Sequence, residues 1–227
     1  MREGGLLPDA VRSLALRLGV REDTALSSVT LTQRGAMRSG PASRWMRFRA
    51  TQMIDLCRPQ FEWRAVTGPF GLIRVIDAFH DDQPKLEVRL FPRLRIASVS
   101  GGAAAAKGEI MRYLAELAWA PDAILHNRLL VWTVIDDRTM RVSAGQDRTR
   151  GEVELRLNDA GRIDGVFAPD RPRKEGSGFV ERPWHGRFGD YRLHESRWLP
   201  FAGEVEWAVD GQEFVAWRGE MLSWRPS

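Results

Sequence analysis

Period-two alternation of apolar and polar residues runs through most of this chain and breaks once, between Gly108 and Pro121, where GEIMRYLAELAWAP switches to helical spacing. Ile110, Met111, Leu114, Leu117 and Ala118 form one stripe, while Lys107, Glu109, Arg112 and Glu116 take the remaining arc. A helix with such a stripe must lie on a sheet, and the alternating segments supply one. Glu109, placed near the first turn, suits the positive end of the helix dipole.

Those segments are short and separated by turn residues. Pro8 to Leu18 forms a packing helix with Leu7, Val11, Leu14 and Leu18 on one side and Gly19 as its stop. Val29, Leu31 and Gln33 then alternate against Thr30, Thr32 and Arg34, and Met46, Phe48, Ala50 and Gln52 against Trp45, Arg47, Arg49 and Thr51. Phe61-Trp63-Ala65, Leu72 to Phe79, Leu86-Val88-Leu90 and a segment from Leu94 through Ile96 continue the pattern. Four or five antiparallel strands are thus expected before the helix. After Pro121, Asp122 to Leu125 starts a second short helical turn. Val131–Ile135 then pairs with Met140–Ala144, and Val153-Leu155-Leu157 with Ile163 and Phe167. Residues 169–182 read as a long, exposed, charged and mobile loop. The last strands carry Trp184, Trp198, Trp207, Trp217 and Trp224, with Asp210-Gly211 as a turn between Val205-Trp207-Val209 and Val215-Trp217-Gly219.

The expected fold is mainly β with some helix (α+β): a large curved antiparallel sheet or half-barrel of about 10–12 strands wrapped on a central helix, because open sheets of that size curl. It forms one domain over 1–227, with an N-terminal helix at about 8–18 and a helical insertion at about 103–126.

At 227 residues a core can form without covalent staples. The single cysteine, Cys57, reads as a small buried hydrophobe rather than a nucleophile. Charges at Arg2, Glu3, Asp9, Arg12 and Arg17 interrupt any signal-peptide core, and no stretch approaches the ~20 apolar residues of a membrane span, so a cytoplasmic protein is expected. The net charge is +4, and only three of the 34 basic residues are lysines, Lys85, Lys107 and Lys174. The arginines are scattered among 30 carboxylates, which argues against nucleic acid.

No motif with an established chemical mechanism is present. His80, His126, His185 and His194 share no metal-ligand spacing, and Asp77, His80, Asp81 and Asp82 form at most a weak composite site beside a turn. Ser100-Gly101-Gly102 lacks the phosphate-loop patterns, and no GxSxG elbow occurs. No metal and no cofactor is expected. Glu204 and Glu206 share one strand face and read either as an acid/base pair, with Glu109 or Glu116 approaching, or as a solvated face or ion pair with Arg112 or Arg218. Arg112 and Glu116 can also pair with each other at i, i+4. Nine tryptophans against two tyrosines suit either a thick core or a pocket wall.

The segments GEIMRYLAELAWAPDAIL, VWTVID, PWHGRFGDYR and LPFAGEVEWAVDGQEFVAWRGE resemble an uncharacterised bacterial family, a domain of unknown function. Gly108, Glu109, Arg112, Tyr113, Leu114, Glu116, Trp119 and Pro121 match its helix, and Gly203, Glu204, Val205 and Trp207 its late GEV.W strand. The resemblance implies no activity. Many relatives look tethered to a membrane by an N-terminal hydrophobic segment, whereas this chain opens on its first helix. Ser196-Arg197-Trp198-Leu199-Pro200 departs from a Gly-x-Arg-Ile-Pro-like stretch of the relatives. At the level of fold the chain is similar to half-barrel lipoprotein carriers.

Three functions follow as expectations. The first is a binding protein for a small hydrophobic or lipid-like ligand, lodged between sheet and helix against Met111, Tyr113, Leu114, Trp119, Trp132, Trp207 and Trp217. The second is a cofactor-independent enzyme using the same pocket with Glu109, Arg112, Tyr113 or Glu204. The third is a protein-interaction scaffold using sheet edges or the charged segment at 169–182. Oligomeric state is not legible in the residues.

Overall fold

The chain lays its sheet down in two meanders. The first contains β1 (Ser28–Met37), β2 (Met46–Asp55), β3 (Phe61–Thr67), β4 (Ile73–His80), β5 (Gln83–Leu90) and β6 (Leu94–Ser100). The second contains β7 (Val131–Val134), β8 (Thr139–Ala144), β9 (Gly151–Leu157), β10 (Ile163–Glu175), β11 (Gly178–His194), β12 (Arg197–Val209) and β13 (Gln212–Pro226). In this computed structural model, which describes residues 7–23, 26–90 and 94–227, the two meanders join where β1 pairs with β13. All thirteen strands then form one antiparallel sheet in the order β6-β5-β4-β3-β2-β1-β13-β12-β11-β10-β9-β8-β7.

That order puts β6 and β7, successive in the chain, at opposite edges, so the segment between them must cross the sheet. Helix α2 (Ala103–Ala115), a tight turn at Glu116–Ala118 and helix α3 (Asp122–His126) make the crossing. Helix α1 (Asp9–Arg17) packs against α3, burying Val11, Leu14 and Ala15. Gly19, at φ +89° just past α1, sits where a Cβ would come within 2.1 Å of the Ser196 carbonyl.

Period-two burial explains most strands. Along β3 the pattern alternates strictly, with Phe61, Trp63 and Ala65 buried and Arg64 and Val66 exposed. Curvature enters through register shifts at Thr32/Gln33, Val88/Arg89, Ala168/Arg171 and Val205/Glu206. It also enters through a bare strip in which Gly35, Gly219 and Gly203 stand side by side on β1, β13 and β12. A Cβ at Gly203 would lie 2.9 Å from the Trp119 ring and one at Gly219 2.5 Å from the Trp217 ring. Two indoles therefore rest directly on backbone.

The crossing segment is pinned to the sheet by buried polar bonds. The Tyr113 hydroxyl donates to the Asp55 carbonyl at 2.8 Å and accepts from the Asn127 amide at 2.9 Å. Trp119 Nε1 donates to Pro200 O at 2.9 Å, and Trp224 Nε1 to Trp119 O at 2.8 Å. Arg197 on β12 grips Asp122 of α3 through two bonds of 2.9 and 2.7 Å, both side chains being buried.

Four expectations need correction. The large curved antiparallel sheet is present, with thirteen strands against the about 10–12 expected, but six strands rather than four or five precede the helix. Helix α2 starts at Ala103, so Glu109 lies beyond the first turn and has no role at the dipole. Residues 169–182 are not a loop but the outer part of the β10–β11 hairpin, turning at Gly176-Ser177. Charges hold it: Arg182 and Arg173 both reach Glu175 at 3.0 Å, and Lys107 of α2 reaches Asp170 at 2.5 Å and Glu181 at 2.7 Å. Cys57 is exposed in the β2–β3 turn, where its N–H donates to Asp55 Oδ1 at 2.7 Å. Among the described residues no helix is long and apolar enough to cross a membrane.

Candidate functional site

The two faces of α2 meet different surroundings. Ile110, Met111 and Leu114 are fully buried in the main core cluster with Val142, Val153 and Leu155 of β8 and β9. The other face turns Arg112, together with Glu116 of the tight turn that follows, toward β2 and β4 of the first meander, not toward solvent. Arg112 Nε donates to Glu116 Oε1 at 2.9 Å, and its Nη1 pairs with Asp77 of β4. Gln52 of β2 donates through Nε2 to Glu116 Oε2 at 2.5 Å. The guanidinium of Arg112 also lies 4.6 Å from the Phe61 ring centroid and 5.7 Å from that of Trp63.

Beside this cluster lies a cavity of about 280 Å³ between α2 and the concave side of the sheet. Trp63, Trp119, Trp184, Trp207, Trp217 and Phe188 supply most of its aromatic wall. Trp119 meets Phe188 edge-on at 5.0 Å and Trp217 at 6.1 Å, and Trp217 stacks on Phe48 at 5.7 Å. The polar wall is Gln33, Gln52, Asp77, Arg112, Glu116, Arg171 and Glu204. Gln33 is itself held by Trp63 Nε1, which donates to its Oε1 at 3.0 Å.

Charge in this region is unevenly matched. Arg112 serves two carboxylates; burial pushes its pKa down, but Glu116, Asp77 and Glu109 outweigh that and hold it above its usual value. Glu109, one turn earlier, has an Oε2 that is buried without a hydrogen-bond partner. Burial, reinforced by the negative charge of Asp77, pushes its carboxyl up to about 8, so at neutral pH it is mostly protonated. Arg171 of β10 borders the cavity with no carboxylate in ion-pair contact among the described residues. Its Nε donates to Gly108 O at 3.2 Å, and its Cζ lies 4.5 Å from the Trp184 ring and 5.3 Å from the Trp207 ring. Burial lowers its pKa; the charge of Glu109 opposes this and the neighbouring Arg112 adds to it, leaving the group below its usual value.

A larger, open groove of about 1030 Å³ is bordered by exposed arginines, among them Arg34, Arg47, Arg49, Arg187 and Arg218. Arg34 is paired with Glu220 at 2.6 Å, and Arg187 with Glu206 at 2.8 Å. The smaller cavity is the better candidate site because it is more enclosed and holds the desolvated charges.

The residues named from sequence divide between cavity and core. Trp119, Trp207 and Trp217 line the cavity. Met111, Tyr113 and Leu114 do not: they lie on the dry side of α2, fully buried. Trp132 sits half-buried on edge strand β7, away from the cavity wall. Of Glu109, Arg112, Tyr113 and Glu204, only Arg112 and Glu204 border the cavity. The Glu204 carboxylate pairs with Arg187 at 3.3 Å, in company with Glu206, and not with Arg112 or Arg218, whose guanidinium stacks on Trp45 at 4.6 Å. The four are not gathered into one acid/base group. Asp77 is drawn into the pair with Arg112, while Asp81 and Asp82 form the β4–β5 turn at φ +50° and +60°. Among the described residues no group of three or more His, Cys, Asp or Glu side chains converges as a metal site.

Gln33, Gln52 and Arg171 were not singled out from the sequence, and Asp77 was named only with His80, Asp81 and Asp82 beside a turn. A signal existed for two of these: Gln33 and Gln52 each occupy an inward register position on an otherwise apolar strand face. A buried polar side chain in such a row needs a partner, and here the partners are Trp63 and Glu116.

A curved antiparallel sheet wrapped on a crossing helix is a fold seen in solved proteins. One is described as a "putative outer membrane lipoprotein-sorting protein domain" from Vibrio parahaemolyticus, 9% identical, with 96% of this chain and 91% of that one covered at a TM-score of 0.52. Another is a LolA superfamily protein from Nitrosomonas europaea, 15% identical over 95% of this chain and 92% of that one, with a TM-score of 0.47. By sequence the chain belongs to a family of unknown function, DUF6544, whose model matches residues 3–219. No curated protein matches it.

Proposed function

We propose that this protein binds a small amphipathic molecule, with the apolar part among the tryptophans and the polar part at the Arg112–Arg171 wall. The observation that carries the reading is the aromatic cavity of about 280 Å³ held open between a pinned helix and a curved sheet. Its size falls just below the usual range of ligand pockets, roughly 300–1,000 Å³, which suits one medium-length chain or a single aromatic body rather than a multi-acyl lipid. The lipoprotein-sorting description of a structural neighbour agrees with an apolar cargo.

The test uses the cavity's own tryptophans. Titration with 1-decanol should change the intrinsic fluorescence saturably. Replacing Ala115, a small residue of α2 on the cavity wall, by leucine fills the space and should weaken that binding at least tenfold in a protein that still melts cooperatively. Equal affinity in wild type and Ala115→Leu, or no saturable response in wild type, would contradict the reading.

A further inference from the structure

Resting on that reading, we infer that the ligand carries an anionic, carboxylate-type head, and that Arg171 is the residue that receives it. In the cavity wall Arg171 is the cation without a partner acid. Asp77 and Glu116 are both taken by Arg112, and Gln52 binds the remaining oxygen of Glu116. No ion pair joins Arg171 to any described residue, and its one hydrogen bond uses Nε, leaving both terminal nitrogens free for a planar acceptor. The guanidinium is held in place by the Trp184 and Trp207 faces at 4.5 and 5.3 Å. A flat fork fixed on two indoles at a cavity wall is preorganised for bidentate binding of a carboxylate.

The other uncommitted polar atoms cannot do this work. Gln52 Oε1 and Asp77 Oδ1 are acceptors, and like Trp184 Nε1 they are sealed from solvent, while the free oxygen of Glu109 is buried off the cavity wall. A cationic head would have to meet two guanidiniums, and the open carboxylate on the wall, Glu204, already pairs with Arg187 at 3.3 Å. With a neutral head the carboxyl acting most strongly on Arg171 would be Glu109, which makes no ion-pair contact with it and which burial keeps mostly protonated, so the cation would stay poorly compensated. An anion answers both, and its apolar body falls on the tryptophan side of the cavity.

The experiment compares decanoate with 1-decanol by tryptophan fluorescence at pH 7 in wild type and Arg171→Gln. Decanoate is expected to bind roughly ten- to a hundredfold more tightly than decanol in wild type, the range of a hydrogen bond to a charged group. In Arg171→Gln that ratio should collapse toward one. Equal affinities in wild type, or a ratio unchanged by the substitution, would overturn the assignment of Arg171 while leaving the hydrophobic cavity intact. Saturable binding of neither molecule to wild type would overturn both this inference and the binding function beneath it.

Discussion

The two faces of helix α2 are built from one thirteen-residue segment and do opposite things. One face closes on β8 and β9 as an ordinary core, with Ile110, Met111 and Leu114 at full burial. The other carries charge into the interior and leaves space beside it. A helix that only plugged a half-barrel would send its polar residues to solvent. Here Arg112 and Glu116 point inward, the sheet supplies Asp77 and Gln52 to meet them, and Arg171 stands on the same cavity wall. The dry face secures the helix so that the charged face can border a cavity without collapsing it.

This contrast can be broken from either side. The largest effect is expected for Arg112→Met, which strands Asp77 and Glu116 as uncompensated buried carboxylates and should cost about 3–5 kcal/mol in denaturant unfolding. Next comes Leu114→Ala on the dry face, where a cavity in the packed core should cost about 2–5 kcal/mol. Its mark is loss of stability with decanol affinity preserved, because Leu114 does not line the cavity. Decanol binding lost in a still-folded Leu114→Ala protein would mean that the two faces are not separate.

The smallest effect is also the most specific. Glu109 keeps its proton up to about pH 8 in the folded protein, whereas in the unfolded chain it gives it up near the ordinary value of 4.5. Between those values the unfolded chain binds fewer protons than the native one, so the Glu109 contribution to stability falls as pH rises, and it levels off above 8. Glu109→Gln imitates the protonated form. It should match wild type near pH 5 and exceed it at pH 9 by on the order of 1–3 kcal/mol. A pH-stability curve with the same slope in both proteins would place Glu109 outside the buried cluster.

How much of this was legible follows from the same physics. Strands with one apolar face, such as Phe61-Trp63-Ala65, announced themselves by alternation, and the turns at Asp81-Asp82 and Asp210-Gly211 by residues that tolerate positive φ. The β10–β11 hairpin did not, because its outer half alternates charge with charge and is held by pairs such as Arg182–Glu175. Arg171 was hidden with it. The stripe on α2 was visible, but whether its polar arc faced water depended on what the sheet placed opposite. Asp77 lies some thirty-five residues from Arg112 and read as part of a turn. The β1–β13 pairing, which closes the sheet around the helix, joins the two ends of the chain and left no local trace.

The central claim is that ligand enters the space beside the charged face of α2, and the nine tryptophans map it directly. Trp63, Trp119, Trp184, Trp207 and Trp217 line the cavity, while Trp45, Trp132, Trp198 and Trp224 do not. In a two-dimensional nitrogen–proton spectrum with assigned indole resonances, decanoate should shift the first five and leave the other four in place. Shifts concentrated on Trp45, Trp132, Trp198 or Trp224, or spread evenly over all nine, would contradict the account.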